Sequence, residues 1–438
     1  MDGFLAPGDK VCEEGSGEQY EIENMLGSGG QGEVYGARVN GRAVAVKWYF
    51  PESATDEQRR ILADLIRSGS PDKRFLWPTS LVGVPGKPGF GYVMGLRDGR
   101  YGNISDLLSR KMSTTFRALA TAGVHLADGF YRLHAFGLCY RDISHNNVFL
   151  DPDSGEVLIC DNDNVGPSDS PTGIRGTMRY MAPEVVLGQV APSAHTDLFS
   201  LAVLLFTVLM NHHPLEGRRE ADIHCFDETA MRKIYGSDPL FIWDPGDGDN
   251  RPEPGYQDNA IIFWDIYPEF LKIIFTEAFT KGISPTGERV TEGRWRRAMS
   301  RLRDAIFYCV GCGEQNIYDM DRIRAHNGDA GLCWSCRGPL QVPPRMRIGK
   351  SVVMLNHDAR LFRHHIDDSK GYDFSASVAE VVQHPNRPTV WGLKNLSTEH
   401  WATFPKDGAP RQVNPGQRVT LASGTRIHIG GTDCEIRV

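Results

Sequence analysis

The sequence predicts a multidomain α+β protein, on three changes of texture along its 438 residues. Residues 20–308 open with glycine-rich, β-branched segments and then turn to helix-like apolar patterns. Residues 309–344 are short and rich in Cys and Gly, too few to bury a core unaided. Residues 345–438 alternate in short runs (VVMLNH, AEVVQH, TVWGLKN, RVTLAS, TRIHIGG, CEIRV) split by Gly, Pro and Asn turns, the pattern of a small β-sandwich. Pro343 and Pro344 mark the boundary before it. Residues 1–19 form an N-terminal extension.

Composition narrows the function classes. A share of 40% hydrophobic and 24% charged residues is ordinary for globular protein. The net charge of −7 argues against a nucleic-acid partner. The N-terminus, MDGFLAPGDK, lacks the basic and apolar regions of an export signal. The apolar run Leu198–Met210, broken by Ser200 and Thr207, is too short to span a bilayer and reads as a buried helix, with no membrane partner. The segment Asp244–Gly255 (DPGDGDNRPEPG) reads as an exposed loop. Four of the nine cysteines fall in two CxxC pairs, which favours metal ligation over disulfides and a cytoplasmic location.

Near the front, GSGGQGEVYGARVNGRAVAVKWY places Gly27, Gly29 and Gly32 in GxGxxG spacing ahead of a strand ending at Lys47. Glycines let backbone amides approach phosphate oxygens. No helix opens there, so a dinucleotide site does not fit. Further on, YRDISHNN (Tyr140–Asn147) is followed by the acids Asp161 and Asp163 of ICDND and by GTMRYMAPE (Gly176–Glu184). An Asp, an Asn five residues later and an Asp beyond a short hairpin suit phosphoryl transfer. One Asp accepts a hydroxyl proton, and the Asn and second Asp hold Mg²⁺ against a triphosphate.

On these motifs the region from Gly27 to Glu184 resembles the eukaryotic-type protein kinase family, which implies a bilobal kinase fold using ATP and Mg²⁺. The resemblance makes Asp142 the catalytic base, Lys47 the nucleotide lysine, and Asn147 and Asp161 the magnesium ligands. Asp161 is preferred because Val157 and Ile159 read as the inward residues of the preceding strand; in the other register Asp163 is the ligand. It assigns Gly27, Ser28, Gly29, Gly30, Gly32, Val34, Ala45, Met94 and Asp163 to nucleotide contact, with GYVMGL (Gly91–Leu96) entering the hinge. The acid that pairs with Lys47 falls in DEQRRILADLIRSGSP. Leucine spacing puts Gln58 at that place, and Glu57 beside it is the expected partner.

The resemblance also implies that Arg141 can meet a phosphate on the activation segment, with Ser170 and Thr172 as acceptors. Thr177 marks serine/threonine specificity, Glu184 pairs with Arg289, and Asp197 braces the catalytic loop. Tyr140 replaces the usual His, Ser144 the usual Lys, and DND the usual DFG. GSPDKRFLWPTSLV, DPLFIWDPGDGDNRP and EAFTKGISPTGERV are similar to bacterial kinases of the tellurite-resistance type. That implies protein substrates, a cognate phosphatase and a von Willebrand A-type partner.

Cys309, Cys312, Cys333 and Cys336 are spaced C-x2-C-x20-C-x2-C, the pattern of a four-cysteine zinc ribbon, with His326 a bystander. The C-terminal segment resembles the second half of a forkhead-associated domain. Lys350 stands where its phosphate-binding Arg should be, and no SxxH follows. His364 and His365 read as surface or sandwich residues, and Arg294, Arg296, Arg297, Arg301 and Arg303 as a solvated helix face whose stems cover apolar surface. Three functional readings follow: an active serine/threonine kinase, a pseudokinase scaffold that binds nucleotide and recruits partners through the ribbon and sandwich, and a nucleic-acid-linked adaptor working through the ribbon, which the net charge argues against.

Overall fold

The structure is a computed structural model describing residues 3–168, 176–285, 287–367 and 369–438. The chain divides into two compact units. The first holds residues 1–114, 125–259 and 276–293, the second residues 115–124, 260–275 and 294–438.

The first unit begins with a closed antiparallel barrel. Its strands are β1 (Lys10–Glu13), β2 (Gln19–Ser28), β3 (Gly32–Val39), β4 (Arg42–Tyr49), β5 (Ser80–Gly83) and β6 (Gly91–Gly95), in the order β1-β2-β3-β4-β6-β5. β1 comes from the N-terminal extension and closes the barrel by pairing with both β2 and β5. Strand alternation sorts β4 into two faces. Val44, Val46 and Trp48 pack inside with Leu5, Val11, Tyr35 and Val82. Ala45 and Tyr49 face the other way, against Leu62 and Tyr92. Leu62 belongs to helix α1 (Asp56–Ser68), which Thr55 caps and Gly69, at φ 74°, ends.

The remainder of this unit is mainly helical. The helix Ala194–Met210 is buried almost all round, as its unbroken apolar run predicts. Among the described residues no helix is long and apolar enough to cross a membrane. Glu184 meets Arg289 at 2.6 Å, with both side chains 2% exposed. Two features were not legible in the sequence. The segment Arg74–Leu76 lies along Ile159, and Arg74 joins Asp72 and Asp128 at 3.0 and 3.1 Å. Phe75 packs edge-on against Phe130, and Trp77 donates to the Leu65 carbonyl at the end of α1. The loop 244–255 is exposed only in part. Asn250 is buried and donates to the Leu215 and Leu240 carbonyls, so one polar side chain pins the loop.

In the second unit, Ile306–Tyr308 and Gln315–Ile317 form a hairpin followed by the helix Met320–Ala325. Its small core of Ala305, Phe307 and Tyr318 is completed by Met354, which lies in the strand Ser351–Met354 of the β-rich C-terminal region. That region has a six-stranded and a four-stranded antiparallel sheet. Their facing side chains, including Met346, Leu361, Leu393, Trp401, Ile427 and Ile436, make one core.

The arginine run keeps Arg297 and Arg301 exposed, as a solvated face predicts, but Arg303 departs from it. Arg301 stacks over Phe270 at 3.9 Å and Arg303 over Phe374 at 4.2 Å. Arg303 is 12% exposed, and burial pulls its guanidinium down to about 10. His364 and His365 are also interior. His365 meets Asp304 at 3.1 Å, and burial holds His364 down to about 3. Phe362 and Phe374 of the β-rich region cover Arg303 at the end of this helix, which its composition alone does not reveal.

Breaking the Glu184–Arg289 pair leaves a buried charge uncompensated. Glu184→Ala should destabilise the first unit by about 3–5 kcal/mol, seen as a lower urea midpoint with an unchanged slope.

Candidate active site

The alternation that buries Val46 and Trp48 points Lys47 to the opposite face of β4. There it lies opposite Val34 on β3 and Tyr92 on β6. Val34, Ala45 and Met94 share one apolar cluster on that face, so three of the expected nucleotide contacts come together. The glycines divide in role. A Cβ at Gly27, Gly29 or Gly30 would meet nothing, so open space lies beside this backbone. A Cβ at Gly32 would sit 2.2 Å from the Trp48 carbonyl, so that glycine is required by β3–β4 packing. Ser28 ends β2 and is exposed.

Lys47 is 5% exposed and carries the charge balance of the site. Its Nζ lies 2.6 Å from Asp161 and 2.8 Å from Asp163, and donates to Gln31 at 3.3 Å. Burial opposes its charge, but the two carboxylates prevail and hold the ammonium above its usual range. The acids differ in access. The Asp161 side chain is 35% exposed, whereas that of Asp163 is 0%. Burial and then Asp163 push the Asp161 carboxyl up. Burial acts likewise on Asp163, but Lys47 and the Tyr49 hydroxyl outweigh it and hold that carboxyl below its usual range. Asp161 has left-handed backbone, at φ 58°.

Helix α1 corrects the expected lysine partner. Its buried residues are Leu62 and Leu65, so the inward position one turn earlier is Gln58, and Glu57 faces solvent. Gln58 Nε2 donates to the Asp163 carbonyl at 3.0 Å and to the Tyr49 hydroxyl at 3.2 Å. Gln31 is a site residue that the sequence reading missed. Besides meeting Lys47, it donates to Asn164 at 3.3 Å, joining the glycine loop to the segment after Asp163.

The catalytic loop hangs from Asp197. One oxygen takes the Arg141 amide at 3.0 Å; the other takes the Tyr140 amide at 2.5 Å and His134 Nε2 at 3.1 Å. His134 also meets Glu292 through Nδ1. Burial disfavours the imidazolium, but these two acids raise the ring to about 9. Within the loop, Asn147 Nδ2 donates to the Asp142 carbonyl and carboxylate at 2.9 and 3.1 Å. Thr177 gives both its amide and its hydroxyl to Asp142 Oδ1, at 2.7 and 2.9 Å. Burial lifts the Asp142 carboxyl above its usual range, with these donors opposing.

Tyr140 donates to the Cys160 carbonyl from the place of the usual His. Ser144 is fully buried with its Oγ unpartnered, so it offers no cation where the usual Lys would stand. Arg141 donates to the carbonyls of Asn164 and Pro167, at 3.3 and 2.8 Å, so backbone takes the place expected for a phosphate. Ser170 and Thr172 lie outside the described residues.

The four cysteines Cys309, Cys312, Cys333 and Cys336 converge, with all four Sγ atoms within 4.8 Å of one another. The Cys309–Cys336 and Cys312–Cys333 separations are both 3.7 Å. A tetrahedral zinc site with Zn–S near 2.3 Å has sulfur–sulfur edges of about 3.8 Å, so these residues fit such an ion. Asn316 donates toward Cys333 at 3.5 Å. His326 is exposed and bonded to the Arg322 carbonyl, apart from the cluster.

Comparison with known proteins gives one family. A family model described as "Protein kinase domain" matches residues 20–246, just over half of the chain. Among curated relatives, "G protein-coupled receptor kinase 2" of Caenorhabditis elegans is 27% identical over 227 residues, covering 48% of this chain and 31% of the relative. "Beta-adrenergic receptor kinase 1" of Homo sapiens is 28% identical over 228 residues, covering 48% and 32%. "CBL-interacting protein kinase 4" of rice is 30% identical over 236 residues, covering 50% and 49%. The chain thus spans about a third to a half of the length of these relatives.

The His134 shift sets a pH dependence. A ring raised from 6.5 to about 9 contributes stability that is full below pH 6.5 and is lost as pH rises through 9. Unfolding free energy should therefore fall between pH 6.5 and 9, by on the order of 3 kcal/mol, and His134→Gln should flatten that slope in denaturant titrations.

Proposed function

This chain belongs to the protein kinase domain family, and we propose that it is a serine/threonine kinase that phosphorylates proteins, itself included, in a cytoplasmic bacterial signalling or stress-response module. The family implies the bilobal fold, ATP and Mg²⁺. The observation that carries the finer reading is the Asp142 carboxylate. It is fixed by Thr177 and Asn147 in a loop that Asp197 holds by its amides. Thr177 on Asp142 supports a hydroxyl acceptor of the Ser/Thr type.

The residues present suit MgATP. Gly27, Gly29 and Gly30 leave open space beside their backbone, and Asp161 keeps an accessible carboxylate. The bonds of Asn147 to Asp142 use Nδ2, which leaves Oδ1 for a cation. Asn147 and Asp161 would hold Mg²⁺, and Lys47 with the glycine loop would hold phosphates. Bound MgATP supplies the γ-phosphoryl group and the charge neutralisation its transfer needs. Asp142 orients the attacking hydroxyl and receives its proton at a carboxylate oxygen as transfer completes. The accessibility of Asp161, against the sealed Asp163, supports Asp161 as the metal ligand. Ser144 removes one cation from the γ-phosphate clamp.

The proposal extends to the rest of the chain. It divides the protein into a kinase domain at 20–308 with the 1–19 extension attached, a zinc ribbon at 309–344 and a forkhead-associated-like sandwich at 345–438. The sulfur geometry supports zinc. With Lys350 in place of the phosphate-binding Arg, the sandwich is proposed as a protein-docking module. The motif similarities support the tellurite-resistance type, and hence a cognate phosphatase and a von Willebrand A-type partner.

With Mg²⁺ and γ-labelled ATP, the wild type should label itself or a generic protein acceptor. Asp142→Ala should lower labelling by about 10³-fold or more while retaining nucleotide binding. Nucleotide binding without labelling in the wild type would favour the scaffold reading. Freshly purified protein should carry one zinc per chain. Cys312→Ser should lose it and lower the melting temperature.

A further inference from the structure

Lys47 needs a permanent anionic partner, and helix α1 offers none. The inward residue there is the neutral Gln58, and Glu57 is exposed. The acids at Lys47 come instead from the loop after the strand Val157–Ile159, and they are unequal. Asp161 is partly exposed and suited to a cation. Asp163 is sealed: one carboxylate oxygen takes Lys47 and the Tyr49 hydroxyl together, and its carbonyl takes Gln58.

We propose that Asp163 is the positioning residue for Lys47. It replaces, from within the metal loop, the acid that a kinase carries on the helix beside the barrel, and so leaves Asp161 to the cation. The proposal rests on the kinase reading of Lys47. In a Lys–Glu pair supplied by the helix, the lysine is set by where that helix lies. Here Lys47 and the metal ligand are anchored two residues apart on one loop, and α1 contributes only neutral hydrogen bonds through Gln58.

Asp163 is hard to explain as a stabilising residue. Its second oxygen, Oδ1, is buried without a partner, a cost that a neutral side chain would avoid. Backbone geometry does not demand it either. Of the two acids only Asp161 has a positive φ, so glycine or asparagine at 163 needs no backbone change. What Asp163 supplies is a fixed negative charge at a buried lysine.

The test is a cycle on the full-length protein, read both as ATP KM and kcat and as the Kd of a fluorescent MgADP analogue. Asp163→Asn should raise KM and Kd by about tenfold or more and lower kcat less. In a Lys47→Met background the same change should have no further effect, because Asp163 acts through the lysine. Asp163→Gly should raise KM and Kd likewise, and adding Gln58→Glu should return both to within about threefold of wild type by restoring an acid from the helix.

Equal losses from Asp163→Asn with and without Lys47 would overturn the proposal. So would an Asp163→Asn protein within about twofold of wild type, or a failure of Gln58→Glu to improve Asp163→Gly. Melting curves identify a variant that fails to fold, and the glycine series then carries the decision. A wild type that binds MgADP without transferring phosphate would sink the kinase reading alone. The cycle on Kd would still decide the role of Asp163.

Discussion

A single buried carboxylate, Asp197, sets the geometry on which the site depends. It lies in the first turn of a buried helix, and its oxygens take the amides of Tyr140 and Arg141. Those amides belong to Tyr140 and to Arg141 next to Asp142, so the Asp142 carboxylate inherits its place from a rigid hydrophobic element. His134 closes the arrangement by bridging Asp197 to Glu292. A charge this deep is tolerable only because each oxygen is met by a donor. Thr177 from outside the loop and Asn147 from within it then fix the orientation of Asp142.

Charge is balanced differently at the barrel. One ammonium faces two carboxylates, and the pairing is resolved by access to water. Asp163 stays buried and charged because Lys47 and Tyr49 serve it, whereas Asp161 is raised by burial and by its neighbour. A divalent cation beside Asp161 would relieve that repulsion, which Lys47 alone cannot do for both acids.

Side-chain identity at fixed spacing made the catalytic loop readable from sequence. Glu184 pairs with Arg289, Asp197 takes the loop amides, and Asp142 and Asn147 meet within the loop, as their spacing predicts. The four cysteines were readable for the same reason. Helix phase was less secure. Leucine spacing already pointed Gln58 inward, but the expectation of an acid drew attention to Glu57. Other features depend on distant partners and left no local signal. Asn250 is buried because it closes on Leu215 and Leu240, and Arg303 because aromatic rings from the β-rich region cover it. Gln31 looks like loop filler until Lys47 and Asn164 are placed beside it. The four residues of β1 are too few to show a period.

β1 has a consequence for how other proteins can approach the barrel. An open sheet presents a row of unpaired amides and carbonyls, and a passing strand can attach there by main-chain hydrogen bonds alone. Pairing Cys12 and Glu13 with Gly83 and Val82 removes that edge. A passing strand therefore finds no free edge where β1 meets β5.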